Sequence, residues 1–151
     1  MTEMNLEVLQ CPACGHEQQV LVFSSVNITL NPELKEKVMN YEINLFKCDA
    51  CANGAFINTP LLYHDMDRKY CVQYYPLESL TIPDFLGSFS RDGTLIKDQP
   101  FERIKISPLL ASSEYLFRPH IVFDIQELVH YVMFRDICEN LADTRRELGI
   151  D

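Results

Sequence analysis

Four of the six cysteines form two matched pairs near the start of the chain. The first pair is Cys11 and Cys14, and the second is Cys48 and Cys51, with two residues inside each pair. This spacing lets both sulfurs of a pair turn to the same side of a tight turn, so that each pair supplies half of a tetrahedron. Zn²⁺ binds four thiolates in a closed shell that leaves no position for water or substrate. The pattern therefore predicts a structural four-cysteine zinc site.

The same residue types allow two alternatives to a structural zinc ion. A redox-active dithiol uses one C-x-x-C pair at a helix start within a βαβ pattern, whereas both pairs here lie between predicted strands. Iron is the other alternative, because tetrahedral sulfur sites accept either metal. Zinc is the predicted cofactor, and a thiol or zinc redox sensor stays open as a function, since oxidation of the thiolates would release the metal.

A second group of chemically capable residues lies at His64 and Asp65, followed by Asp67. An enzyme site around His64 and Asp65 is one interpretation of this group, and a solvated turn between two strands is the other. Cys71 and Cys138 lie outside the paired pattern and are predicted to be buried small hydrophobes. His16, next to the first cysteine pair, could tune the thiolates or replace a ligand, but four cysteines already complete the shell. His120 and His130 have no partner at an informative spacing. Since no catalytic motif is recognisable, we predict no catalytic residue and no enzyme activity.

The cysteine pairs require turns between strands to position them. Runs rich in Val, Ile, Phe and Tyr predict strands around both pairs and in a following hairpin, at 4–10, 18–28, 42–47, 55–58, 61–63 and 70–75. Between the pairs, Asn31 is a predicted N-cap and Pro32 a predicted first residue of a short helix over 33–39. Residues 1–76 are therefore predicted to form a zinc-ribbon-like, β-rich unit with one inserted helix.

Residues 77–151 are predicted to be an irregular connection followed by a strand and a helix. Proline and glycine interrupt the stretch 77–115, for which we predict no long element and no role. A strand is indicated at 121–123, and Asp124 with Glu127 forms a predicted capping box. The apolar positions of the following helix recur at steps of three and four and predict one apolar stripe, formed by Ile125, Leu128, Val129, Val132, Met133, Ile137 and Leu141. Gly149 is the predicted stop. The fold class is α+β, and this amphipathic helix is predicted to pack on the same domain.

Composition excludes several classes of protein. The chain has 151 residues, 47% of them hydrophobic, which is enough for one domain with a core of its own. A net charge of −9 disfavours nucleic acid and anionic membranes as partners, and the first basic residue is Lys35. The N-terminus lacks the pattern of a signal peptide, and no apolar run approaches the roughly 20 residues of a membrane span. We therefore expect a cytoplasmic protein without a membrane segment.

Three stretches of the sequence resemble the bacterial CpXC family. They are the run Cys-Pro-Ala-Cys-Gly-His at 11–16 and the runs at 25–37 and 60–66. The resemblance covers about residues 6–76, with a fainter similarity over 121–141. It implies a domain that binds zinc through two cysteine pairs and has no established biochemical function.

The second cysteine pair departs from the family pattern of Cys-Pro-x-Cys-Gly. Asp49 stands where many members have proline and Ala52 where they have glycine, so the four ligands are intact while the turn differs. Asn53 or Gly54 is expected to supply the left-handed residue of this turn, one or two positions later.

The stretch 61–65, which includes His64 and Asp65, matches the most recognisable part of the family outside the cysteines. By resemblance, these residues are the best candidates for a family-specific role.

The sequence thus predicts a zinc-binding protein with a structural metal site and a protein-interaction function. The predicted partner is another protein or a second copy of the chain. A redox sensor, a nucleic-acid-binding zinc ribbon and an enzyme at His64 and Asp65 are the alternatives, the last two less favoured.

Overall fold

The structure, a computed structural model, describes residues 1–96 and 114–149. Its strands and helices are, in chain order, β1 (Glu3–Gln10), β2 (Glu17–Asn27), α1 (Glu33–Met39), β3 (Leu45–Lys47), β4 (Gly54–Phe56), β5 (Leu61–Asp65), β6 (Tyr70–Tyr74), β7 (His120–Val122) and α2 (Ile125–Glu147). Short 3₁₀ helices cover Leu77–Thr81, Leu86–Ser88 and Glu114–Phe117. Within the described ranges, no helix is both long and apolar enough to cross a membrane.

Five of the strands form one sheet in the order β1-β2-β5-β6-β7. Strands β1 and β2 are an antiparallel ribbon, as are β5 and β6, because each pair is joined by a tight turn. Strand β2 pairs with β5 in parallel, and β6 pairs with β7 in parallel. Parallel neighbours need a crossover, and the one between β2 and β5 contains α1 and the separate β3–β4 hairpin. The predicted α+β class is confirmed.

One apolar core lies between the sheet and the two helices. Its fully buried members come from three strands and both helices and include Val26, Leu61, Tyr63, Val72, Val38, Leu128 and Val132. A second, smaller cluster is formed by Cys11, Phe46 and Cys48, all from the N-terminal half of the chain. Strand β7 and helix α2 therefore join the sheet and the core that residues before Pro76 begin.

The apolar stripe predicted along α2 is correct for its first part and wrong for the second. Leu128, Val129 and Val132 are buried against the core, but Met133, Ile137 and Leu141 are exposed by 45%, 56% and 59%. The reason is that the buried face, followed at steps of three and four, continues through polar positions after residue 132. The later apolar residues lie on another face of the helix.

The polar continuation of that buried face is anchored by ion pairs. The carboxylate of Asp136 in α2 lies 2.7 Å from the ammonium of Lys35 in α1 and also contacts the guanidinium of Arg68, in the β5–β6 turn. A single side chain of α2 thus joins three separate segments of the chain.

The helix ends agree in part with the predicted caps. Asp124 caps α2 by accepting a hydrogen bond from the Gln126 amide at 2.6 Å, and Gly149 ends it with a φ of +64°. Pro32 has helical dihedrals at the start of α1, as predicted. The side chain of Asn31, however, does not cap α1; its Oδ1 accepts a hydrogen bond from Thr2 Oγ1 at 2.8 Å and so holds the N-terminus.

The stretch predicted to be irregular is described only in part. Residues 77–96 form the two short 3₁₀ helices and a single bridge between Phe89 and Leu95, in agreement with the predicted lack of long elements. Residues 97–113, which include Pro100 and Pro108, lie outside the described residues.

Candidate metal centre

The first cysteine pair lies in the turn at the tip of the β1–β2 ribbon. The Gly15 amide donates to the Cys11 carbonyl at 2.9 Å, and the Cys11 amide donates to the His16 carbonyl at 2.8 Å. Gly15 has a φ of +75°, a conformation that costs glycine little and other residues more. The turn leaves Cys11 buried and Cys14 exposed.

The second pair lies in the turn of the β3–β4 hairpin, which repeats this geometry. The Ala52 amide donates to the Cys48 carbonyl at 2.9 Å, and the Cys48 amide donates to the Asn53 carbonyl at 2.8 Å. Cys48 is buried and Cys51 exposed, as in the first pair. Sequence reasoning placed the left-handed residue at Asn53 or Gly54, but Ala52 adopts it with a φ of +58°. Ala52 is therefore the equivalent of Gly15 in conformation as well as in position.

The two turns bring the four sulfurs together. Cys11 Sγ lies 3.7 Å from Cys51 Sγ, Cys14 Sγ lies 3.6 Å from Cys48 Sγ, and all four lie within 4.8 Å of one another. A metal bound to four sulfurs at about 2.3 Å in a tetrahedron would separate them by about 3.8 Å, and a disulfide would need about 2.05 Å. The four cysteines are thus able to hold one metal ion, and they are free thiols in this structure. The identity of the metal stays a prediction.

The groups around the thiols give Cys11 and Cys51 different pKa values. Burial raises the pKa of the Cys11 thiol, but the backbone amides of Cys14 and Ala13 more than offset this and bring its pKa to about 6. The Asn53 amide lowers the pKa of Cys51, whereas the neighbouring sulfurs, Cys14 first, raise its pKa to about 12 overall. Four adjacent thiolates repel one another, so the last proton leaves reluctantly without a cation. A divalent cation would offset that repulsion, so this set of four sulfur donors suits such an ion.

A side-chain clamp joins the two turns beside the sulfurs. The Gln18 amide nitrogen donates to the Lys47 carbonyl at 2.8 Å, and its oxygen accepts from the Asp49 amide at 2.9 Å. The Asn44 amide makes a similar double contact to the backbone of Phe23. Sequence analysis missed both residues because each partner lies more than 20 positions away, although an asparagine or glutamine beside a cysteine turn is a weak signal for such a role.

His64 is buried, and both of its ring nitrogens have partners. Nδ1 lies 3.4 Å from Asn27 Nδ2, and Nε2 lies 2.8 Å from Tyr115 Oη. The backbone amides of Thr29 and Leu30 donate to Asn27 Oδ1, which leaves the Asn27 nitrogen facing the ring. Because that nitrogen can only donate, Nδ1 accepts and Nε2 carries the proton. Burial lowers the pKa of His64, which favours this neutral form.

Asp65 holds the turn that follows β5. Its Oδ1 accepts a hydrogen bond from the Arg68 amide at 2.9 Å, and its side chain is buried beside the Arg68 guanidinium. Asp67 is exposed in the same turn. The contacts of His64 and Asp65 are therefore internal to the fold and give no support to the alternative of an enzyme site there.

The two unpaired cysteines behave differently. Cys71 is buried in β6, as predicted, and its thiol donates to the Tyr115 carbonyl at 3.4 Å, while burial raises its pKa to about 12. Cys138 is exposed on α2, so its predicted burial is wrong. Cys138 lies one turn after the exposed Phe134, on a face of α2 that does not pack on the core. Of the other histidines, His16 and His130 are exposed, and His120 stacks on Tyr131.

Comparisons with known proteins give one match. The sequence profile of a family described as CpXC protein matches residues 9–139, which is most of the chain. No curated protein and no solved structure matches it.

Proposed function

The chain belongs to the CpXC family, and from this premise we propose that it is a zinc-stapled protein-interaction module. One Zn²⁺ bound by Cys11, Cys14, Cys48 and Cys51 has a structural role, and the ribbon that it supports presents an apolar face to a protein partner. We place this activity in the cytosol of a bacterium, where reducing conditions keep the cysteines available to a metal.

The sulfur geometry is the observation that carries the zinc part of the proposal. The 3.6 and 3.7 Å separations match the edges of a tetrahedral four-sulfur site, and cysteine supplies every ligand. Such a closed shell has no open position for substrate, so the metal acts by joining the ribbon tip to the β3–β4 hairpin. Iron would accept the same ligands and is the alternative that metal analysis separates from zinc.

An exposed sheet face supports the interaction part. Met4, Leu6 and Val8 alternate along β1 with exposures of 54%, 62% and 63%, and Leu21, directly opposite Leu6 on β2, is 44% exposed. Contiguous apolar side chains of this kind mark interaction sites more often than isolated ones do. The other face of the ribbon points Leu9 and Val20 toward the cluster of Cys11 and Cys48.

The position of β1 indicates the kind of partner. It is the terminal strand of the five-stranded sheet, and in the described residues no further strand pairs with it. An edge of this type pairs readily with an extended segment, whose backbone supplies hydrogen bonds while its side chains meet the apolar face. We propose a protein segment with alternating apolar residues as the partner.

Native mass spectrometry tests the zinc part. We expect one Zn²⁺ per chain in the purified protein, lost with chelator together with the thermal stability of the N-terminal unit. A metal-free chain that contains a disulfide would overturn the proposal and favour the redox alternative. Iron in the same site would show that the structural metal is iron and not zinc.

Affinity purification from cells with matched variants tests the interaction part. Leu6→Lys and Val8→Lys place a charge on the apolar face, and Asn5→Lys adds the same charge to the opposite face of the same strand. We expect the parent and Asn5→Lys to retain one common partner that the other two variants lose. Equal recovery by all four proteins would exclude this face as the interface.

The exposure of Cys14 and Cys51 favours one second candidate, a redox sensor. Two of the four sulfurs are open to an oxidant, and oxidation of zinc-bound thiolates ejects the metal. Reversible zinc release at mild peroxide would support this function, and retention of zinc under strong oxidant would exclude it.

A further inference from the structure

A cleft of ≈310 Å³ lies between the start of β6, the start of β7 and the middle of α2. It contains none of the four clustered cysteines, and its lining includes Lys69, Tyr70, Arg118, His120, Tyr131 and Arg135. The neighbouring cleft along α2 shares His120 and Tyr131 with it and contains Glu127. The lining of the first cleft thus contains basic side chains, whereas that of the second contains the acidic Glu127, and the stacked His120 and Tyr131 belong to both.

Positive charge is concentrated in the first of these clefts. Lys69, Arg118 and Arg135 all line it, and among the described residues that form its wall none is acidic. This is unexpected in a chain with a net charge of −9. Within the described part of the chain, neither Lys69 nor Arg118 has a carboxylate at ion-pair distance.

Arg135 is held in place by an aromatic ring. Its guanidinium carbon lies 4.5 Å from the centroid of the Tyr70 ring, and its nearest carboxylate, that of Glu139, is 3.9 Å away. Stacking fixes the plane of a guanidinium while leaving its N–H groups free to donate in that plane. Arg135 is thus oriented before any ligand arrives, which lowers the entropic cost of binding.

The wall of the cleft also contains aromatic rings. The rings of His120 and Tyr131 are stacked with centroids 3.8 Å apart and an interplanar angle of 6°, and Tyr70 meets Tyr131 edge to face. Burial lowers the pKa of His120, which favours its neutral form and makes it an aromatic wall. Cations beside stacked rings suit a ligand that joins an anionic group to a planar one.

We propose that this cleft binds a small molecule that carries a phosphate monoester on a planar ring. A phosphate monoester has a charge of about −1.5 to −2 at neutral pH and three acceptor oxygens, which suits a cleft lined by three basic residues better than one carboxylate does. The overall negative charge of the protein repels long polyanions, so a small ligand fits and nucleic acid does not. This inference is independent of the zinc site and of the β1 interface.

Calorimetric titration of the metal-loaded full-length protein tests the proposal, with phenyl phosphate as the probe. We expect saturable binding of phenyl phosphate, binding of benzoate and of inorganic phosphate about tenfold weaker, and weaker binding of each anion at higher salt. Arg118→Gln and Arg135→Gln should each raise the dissociation constant of phenyl phosphate about tenfold or more, since each removes a charge-assisted hydrogen bond.

Arg146→Gln is the matched control, because it removes the same charge from an exposed position of the same helix, where Arg146 pairs with Asp143. We expect it to bind phenyl phosphate as the parent does. Arg118 is exposed, so its variant should retain the parent's melting temperature and keep the test valid even where Arg135→Gln is destabilised. No saturable binding, equal weakening by Arg146→Gln, or benzoate binding as tight as that of phenyl phosphate would overturn the proposal.

Discussion

The side-chain amide of Asn44 forms two hydrogen bonds with the backbone of Phe23, as the backbone of a neighbouring strand would. The Phe23 amide donates to Asn44 Oδ1 at 2.8 Å, and Asn44 Nδ2 donates to the Phe23 carbonyl at 2.9 Å. Asn44 is buried, with a φ of +55°, and its own carbonyl accepts from the Ile57 amide at 2.7 Å. One side chain therefore fastens the hairpin of the second cysteine pair to strand β2.

Replacing Asn44 should cost more than a typical surface substitution. Asn44→Ala leaves two backbone groups of Phe23 without partners and puts a less tolerant residue at a positive φ, so we expect the free energy of unfolding to fall by about 2 kcal/mol or more. Urea denaturation of the metal-loaded protein measures it. Asn5→Ala, which removes an amide of the same type from an exposed position of β1, is the comparison, and equal losses would argue against the clamp.

Removal of one sulfur from the cluster tests whether the four cysteines hold a structural metal. Cys48→Ser should abolish stable zinc binding and lower the melting temperature of the N-terminal unit, since structural zinc contributes on the order of 10 kcal/mol of binding energy coupled to folding. Metal analysis and calorimetry provide the two readouts. Cys138→Ser, at an exposed cysteine outside the cluster, should change neither, and a Cys48→Ser protein that holds zinc and melts like the parent would contradict the assignment.

The two cysteine turns should respond in opposite ways to exchange of glycine and alanine. Gly15→Ala puts a Cβ at a φ of +75°, and we expect a loss of about 1 kcal/mol. Ala52→Gly relieves the same conformation at a φ of +58°, so we expect a gain of about 0.5 to 1 kcal/mol. The space at Gly15 admits a Cβ, whose nearest contact would be 3.9 Å from Gln10, so the change is conformational. Chemical denaturation with the metal bound tests both, and a loss in Ala52→Gly would contradict the equivalence.

Asp136 should contribute more to stability than an exposed aspartate of the same helix. Its carboxylate pairs with Lys35 and Arg68, and the three side chains are only partly exposed. Asp136→Asn should therefore lower the free energy of unfolding by about 1 to 2 kcal/mol. Asp143→Asn breaks a single exposed pair with Arg146 and should cost less than about 0.5 kcal/mol. Thermal melts of the two variants measure this difference, and equal shifts of the melting temperature would contradict a larger contribution from Asp136.

The burial of His64 predicts a definite pH dependence. Because its pKa is lower in the folded protein than the usual 6.5, the unfolded chain binds the proton more readily. Its contribution to stability is therefore complete above about pH 6.5 and is lost as the pH falls toward the folded pKa. NMR titration of the His64 ring measures that pKa directly, and we expect a midpoint below 6.5. A midpoint at or above 6.5 would contradict the assigned neutral form.

Local patterns were sufficient for the ligand set and for most of the strands. The C-x-x-C spacing identified all four clustered cysteines, and runs rich in β-branched and aromatic residues located β1, β2, β5, β6 and β7 to within a few residues, because both signals lie within short windows. Asp124 was recognisable as a cap for the same reason. The family resemblance, carried by the three stretches at 11–16, 25–37 and 60–66, is confirmed by the profile match over residues 9–139.

Relationships across the chain could not be read in this way. His64 and Tyr115 are 51 positions apart and Lys35 and Asp136 are 101 apart, so no local pattern links them. The exposure of Met133, Ile137 and Leu141 depends on which face of α2 packs on the sheet, and that face continues through polar residues that a pattern of apolar positions does not identify. Ala52 was missed because glycine and asparagine are the usual residues at a positive φ, and the backbone of the turn overrides that preference here.

The crossover between β2 and β5 gives the metal an influence on the order of folding. Strand β5 can join the sheet only after the chain has returned across it, and the second cysteine turn lies within that return. A metal that bridges Cys11 and Cys51, 40 positions apart, links the turn before β2 to a point inside the crossover and so shortens the loop that remains to be closed. The pairing of β2 with β5 then costs less closure entropy in the metal-bound chain, and its folding rate should depend on free metal concentration.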